Sequence, residues 1–174
     1  SDQSGLTMFS RLLYLREGRI LFQAQYRARR ARYEDLKSLI AYSYYSFQVE
    51  DLPFTPLPTS TLAATATRPP LSTPSVPMAL YQSRHYPFAI QYPADWDQVA
   101  PDLEQTAKFQ RDETAQLAIF EQDLAEQGME FVTQEQFADL FIQGFETLLQ
   151  DLVIVSRETK VSRQGLTTER IVLT

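Results

Sequence analysis

The chain of 174 residues has no cysteine, which excludes disulfides, thiolate nucleophiles and cysteine metal sites, and leaves the redox compartment open. It has a single histidine, His85, so a two-histidine metal site and a helical His-Glu-x-x-His motif are both excluded. The five glycines are scattered singly, with no phosphate-cradling loop and no dinucleotide fingerprint among them. A Ser/His/Asp triad would have to be built around His85, which lies in a short connection beside Arg84 and Pro87. No apolar run approaches the roughly 20 residues that a membrane-crossing helix needs. The first residues show no basic start followed by an apolar secretory core. These absences leave an expectation of no catalytic residues, no cofactor and no metal.

Hydrophobic residues make up 44% of the chain and aromatics 12%, enough for a packed core. The net charge of −6 hides an asymmetry. Residues 1–50 carry 8 basic and 5 acidic groups, whereas residues 79–174 carry 7 basic and 16 acidic ones. A chain dominated by its acidic part is a poor nucleic-acid binder.

Three stretches differ in character. Residues 1–51 are rich in Arg, Gln, Ala, Leu and Tyr, which predicts a mainly helical docking segment. Leu6, Phe9, Leu12, Leu13, Ile20, Ala24, Ala28 and Ala31 fall near one helical face, and Leu36, Leu39, Ile40, Ser43 and Phe47 form a second. A hairpin reading stays open for residues 9–29. Phe22, Ala24, Tyr26 and Ala28 alternate with polar residues, and Glu17-Gly18 between two apolar runs suits a turn. Either way the segment carries more apolar surface than it can bury alone.

Residues 52–77 contain seven prolines, six threonines and no glycine, the composition of a semi-rigid spacer. At about 3.1 Å per residue such a spacer reaches roughly 80 Å. Thr/Pro/Ser-rich stalks are common outside the cytoplasm, which points to an extracytoplasmic location.

Residues 78–174 predict an α+β domain, an antiparallel sheet with a helix packed on it. Strands are expected at Met78–Gln82 and Phe88–Tyr92, and a hairpin at Lys108–Arg111 and Ala115–Glu121 around Asp112-Glu113-Thr114. Two more strands are expected at Leu152–Arg157 and Leu166–Leu173, turning at Gln164-Gly165. A helix begins at Thr133, an N-cap that Gln136 completes as a capping box. Phe137, Leu140, Phe141, Gly144 and Leu148 give it one apolar face, with Gly144 expected to allow close approach to the sheet. Pro93 ends the strand before it, Asp95 turns the chain, and Trp96, the only tryptophan, is expected to plug the strand end.

The strand ending in Tyr92-Pro93-x-x-Trp96, the Phe109-x-Arg111 strand and the helix start Thr133-x-Glu135-x-Phe137 resemble the PsbP-like family. That family shares its fold with the Mog1 proteins, and the likeness covers residues 78–174. It implies a PsbP/Mog1-like sheet-and-helix fold, and a non-enzymatic accessory protein docked on a larger, membrane-associated complex. The family's domain continues, beyond the point that Thr174 matches, with more sheet and a further helix. Residues 6–48, or a partner, are therefore expected to cover the sheet.

The expected partners are other protein subunits, with no nucleic acid. Arg27, Arg29, Arg30 and Arg32, four arginines in six residues, are candidates to meet acidic protein or a membrane surface. Tyr42, Tyr44, Tyr45 and Phe47 are candidate interface anchors, since tyrosine suits surfaces with one apolar and one wet end. The alternative is an extracytoplasmic module that holds a small ligand or cation, with Trp96 and the carboxylates of Asp95, Asp97, Asp102 and Glu104 at its mouth. Glu121, Asp123, Glu126 and Glu130 read as an acidic surface facing water or a basic partner.

Overall fold

A computed structural model describes residues 7–16, 20–49, 74, 76–84, 88–102, 105–129, 131–148, 152–161 and 167–174. Among them are ten strands and two helices: β1 (Thr7–Arg16), β2 (Ile20–Arg29), α1 (Arg30–Ser46), β3 (Gln48–Val49), β4 (Met78–Gln82), β5 (Phe88–Pro93), β6 (Asp97–Val99), β7 (Gln105–Asp112), β8 (Ala115–Asp123), α2 (Gln134–Leu148), β9 (Ile154–Val161) and β10 (Thr167–Leu173). The expected α+β class holds.

The helical expectation does not hold for residues 7–16 and 20–29. They pair as antiparallel strands, β1 against β2, in register from Thr7↔Arg29 to Arg16↔Ile20. The open alternative, carried by the alternation at Phe22, Ala24, Tyr26 and Ala28, describes β2, and those four side chains all face the core. The Glu17-Gly18 turn lies outside the described residues. Only from Arg30 does the chain become helical. Tyr33, Leu36, Leu39, Ile40, Ser43 and Tyr44 then form the buried stripe, recurring at three and four.

The hairpin occupies the middle of a seven-stranded sheet of order β6-β7-β8-β2-β1-β10-β9, with every neighbouring pair antiparallel. β2 pairs with β8 from Ile20↔Asp123 to Ala28↔Ala115, and β1 pairs with β10 from Phe9↔Leu173 to Tyr14↔Thr168. Residues 7–49 thus do more than cover the sheet. They supply its two central strands, together with a helix.

Side chains alternate across the two faces of the sheet. On one face, Phe22, Ala24, Tyr26 and Ala28 join Leu117, Ile119 and Phe109 beneath α1 and a small sheet of order β3-β5-β4. On the other, Leu21, Ile171 and Leu173 pack with Leu124 and with Ala138 and Ile142 of α2.

α2 starts as its capping box predicts. The Thr133 N–H donates to Gln136 Oε1 at 2.8 Å, and the Gln136 N–H donates to Thr133 Oγ1 at 3.2 Å. Its buried face is rotated from the expected one, however. Ala138 and Ile142 are buried, whereas Leu140 is 51% exposed and Gly144 is exposed with open space where a Cβ would sit. Gly144 therefore allows no close approach. Phe137, Ala138, Phe141 and Ile142 run side by side around the helix, so the apolar arc is broad, with Ala138 and Ile142 buried and Phe137 and Phe141 partly buried against the same cluster.

The other expected strands appear close to where they were placed, except that β9 starts two residues later than expected and runs on to Val161, and the β7–β8 hairpin turns at Glu113-Thr114 as expected. The Gln164-Gly165 turn, His85 and most of the 52–77 spacer lie outside the described residues.

Candidate interaction site

The expected site residues separate into two groups. Arg27 and Arg29 project from the exposed end of β2, and Arg30 and Arg32 from the first turn of α1, so the arginine run straddles a strand-to-helix junction. All four are exposed. Arg29 is the N-cap of α1 with extended backbone and no side-chain cap, which keeps this corner open to charge rather than closed by a Ser or Asp.

The corner includes a second segment that sequence reasoning did not find. The Arg29 N–H donates to the Thr114 carbonyl at 3.0 Å, which fixes the β7–β8 turn beside it. Thr114 in turn donates from its hydroxyl and its N–H to Asp112 Oδ1. Those two bonds hold the Asp112 carboxyl below the usual carboxylate range, and the nearby Arg32 and Arg111 guanidinium groups push it the same way. Arg111 also approaches Asp95 at 3.8 Å. The surface is therefore an arginine corner of Arg29, Arg30, Arg32 and Arg111 with the exposed Asp112 carboxylate beside it. Only the β2–β8 register, a contact some 90 residues apart in sequence, brings Arg111 to the others.

The aromatic group behaves differently. Tyr44 and Phe47 are buried and belong to the core, and Tyr42 and Tyr45 are half-buried. The Phe47 ring stacks on Phe88 at 5.5 Å between centroids and lies 5.9 Å from Phe22. Ser46 locks the same end of α1 to β5, its Oγ accepting the Gln91 N–H at 2.8 Å and donating to the Ser43 carbonyl at 2.7 Å. In this fold Tyr44 and Phe47 anchor the N-terminal unit to its own chain, and the surface they present to a partner is small.

The ligand reading fares no better in its details. Trp96 is 4% exposed, with its ring 5.6 Å from Tyr26, so it plugs the core as expected and does not stand at a mouth. The Trp96 backbone N–H donates to the Pro93 carbonyl at 3.0 Å, closing the turn that follows β5. Asp102 pairs with Lys108 at 3.0 Å, Asp95 with Arg111, and Asp97 is exposed; Glu104 lies outside the described residues. Among the described residues no group of three His, Asp or Glu side chains is placed to hold a metal ion.

The acidic run contains a correction. Glu121 does not face water: both of its carboxylate oxygens are buried without a hydrogen-bond partner, and burial raises its pKa to about 8. It sits on the α1 face directly opposite Phe22, where the β-strand alternation of β8 turns it inward. A second buried carboxylate, Glu169 on β10, faces α2 and is fully engaged. It accepts from Arg157 Nε and from Thr159 Oγ1, and Arg157 also donates to Asp139 of α2. Among the described residues no helix is long and apolar enough to cross a membrane. No family model, curated protein or solved structure matches the chain.

Proposed function

We propose that this chain is a non-enzymatic accessory or assembly subunit of PsbP-like type that acts by protein–protein contact within a larger, membrane-associated, extracytoplasmic complex. The observation that carries this reading is the arginine corner. Arg29, Arg30, Arg32 and Arg111 are gathered from three elements onto one exposed edge of a protein whose net charge is −6. A cationic patch on an acidic molecule steers an acidic partner and fixes its orientation. Beside the corner, what supports the reading is coarse: an α+β architecture in which an antiparallel sheet carries a helix on each face.

The test is affinity purification of the tagged chain from its native membranes and soluble fraction, with co-purifying proteins identified and counted. A fixed partner set that disappears when Arg29, Arg30 and Arg32 are changed to Glu supports the reading. A clean monomer in the soluble fraction, with no partner at low salt, refutes it.

A further inference from the structure

We propose that the arginine corner is a carboxylate-binding site whose innermost donor is the Tyr26 hydroxyl, and that an acidic segment of a partner protein fills it; this rests on the protein–protein reading and names what the contact is made of. Tyr26 is 3% exposed, and its hydroxyl is buried with no hydrogen-bond partner. A buried donor left unpaired costs about 1–3 kcal/mol, so a fold seldom keeps one that nothing uses.

Register places Tyr26 next to the corner. It lies opposite Leu117 on β8, and Leu117 lies opposite Phe109 on β7, two residues before Arg111. The Tyr26 ring also packs 5.6 Å from the ring of Trp96, and the residue before Trp96 is Asp95, the carboxylate paired with Arg111. One path through the sheet and another through the turn after β5 therefore both lead from Tyr26 to Arg111. The charges of Arg111 and Asp112 act on the hydroxyl, as do Tyr33 and Tyr44 of α1. Burial keeps the hydroxyl protonated, so it is a donor in search of an acceptor.

The start of α1 at the same corner asks for the same kind of ligand. It has neither a capping side chain nor an acidic residue in its first turn, and it carries Arg30 and Arg32 there instead. Positive side chains at the positive end of a helix repel one another and oppose its dipole, and an anion bound among them relieves both. The rim thus supplies arginine forks and the base a neutral O–H donor. Arg111 is the movable part. Its side chain is 44% exposed, and its ion pair with Asp95 spans 3.8 Å, too long for a hydrogen bond. An incoming carboxylate that takes the place of Asp95 exchanges like for like on the same guanidinium, closes to hydrogen-bond distance and meets the Tyr26 hydroxyl behind it. That exchange favours a carboxylate over a phosphate, and so does a protein partner, whose ordinary anions are carboxylates.

The full-length chain is titrated with a hexaglutamate peptide at low ionic strength, followed by calorimetry and by the emission of Trp96, the only tryptophan and a neighbour of Tyr26. The expected result is saturable binding that shifts the Trp96 emission and weakens with added salt. Tyr26→Phe keeps the ring and should bind about ten-fold more weakly, the size of one hydrogen bond to a charged group. Arg111→Gln, a change at an exposed position that leaves the core intact, should lose the Trp96 shift. If Tyr26→Phe binds as tightly as the wild type while changing Arg29, Arg30 and Arg32 to Glu abolishes binding, the corner is a surface patch without an inner donor. This inference then fails, and the protein–protein reading stands. If the wild-type chain binds no peptide, the carboxylate site fails and co-purification alone decides the wider reading. Inorganic phosphate that binds more tightly than the peptide, with the same loss in Tyr26→Phe, would overturn the choice of a carboxylate.

Discussion

Phe47 lies flat against Phe88, the two rings inclined by only 13°, and this contact joins the last turn of the N-terminal unit to the strand on which the small sheet is built. Both rings also meet Phe22 at the centre of the large sheet. Three segments far apart in sequence therefore converge on one aromatic cluster. Replacing Phe47 by Ala removes a buried ring from all three and should cost about 3–5 kcal/mol. Urea denaturation followed by the single tryptophan measures it, since Trp96 is buried in the same core and reports its loss.

The parts of the fold that the sequence specifies locally could be read from it. The capping box at Thr133 and Gln136, the Asp112-Glu113-Thr114 turn and the Pro93 to Trp96 stop each act over a few residues, and each appears as expected. β1 could not be read in this way. It is enclosed by β2 and β10 at its sides and approached by a helix on each face, so it needs apolar residues without strict alternation, and such a run also fits a helix. The arginine corner was half legible. The run from Arg27 to Arg32 is evident in the sequence, but Arg111 joins it only through a register that no local pattern encodes. Glu121 was misread for a related reason: one more polar residue in an acidic run looks solvated until strand alternation turns it inward.

Glu121 makes stability depend on pH in a defined sense. Its carboxyl titrates at about 8 in the folded protein against about 4.5 when unfolded. Below the lower value both states hold the proton and the group takes nothing from stability. As pH rises from there to about 8, the unfolded chain releases the proton and the folded one retains it, so stability falls across that window. Glu121→Gln removes the titration. The variant should match the wild type near pH 4 and exceed it at pH 8 by about 1–2 kcal/mol, a gain limited by partial solvent access and of the size set by an unpaired buried group. Urea midpoints measured at both pH values decide it, and an equal difference at the two would rule out ionisation as the cause.

Tyr26 offers a test without a pH term in the working range. Its hydroxyl is buried with no hydrogen-bond partner, and burial raises its pKa further above the ordinary tyrosine range. The ring packs beside Trp96. Tyr26→Phe keeps the ring and deletes the unpaired oxygen, so stability should be unchanged or higher by up to about 1 kcal/mol. Thermal unfolding by circular dichroism measures it. A Tm lower by several degrees would mean that the hydroxyl has a partner in solution.

The Arg157 and Glu169 pair should behave in the opposite way to Tyr26, because here each polar group is satisfied and depends on the other. Glu169 is only 3% exposed, and Arg157 bridges it to Asp139 across the gap between β9 and α2. Arg157→Met leaves a buried carboxylate with Thr159 as its remaining partner, and should cost about 2–4 kcal/mol, the lower values reflecting the partial exposure of the arginine. Glu169→Gln alone should cost less, since a neutral amide tolerates burial better than an unpaired charge. Combining the two removes the stranded charge, so the double variant should be more stable than Arg157→Met alone by about 1–2 kcal/mol. A double-mutant cycle in urea measures the coupling. If the costs simply add, the short contact is a surface ion pair with little hold on α2, and the helix is kept on the sheet by Ala138 and Ile142 without electrostatic help.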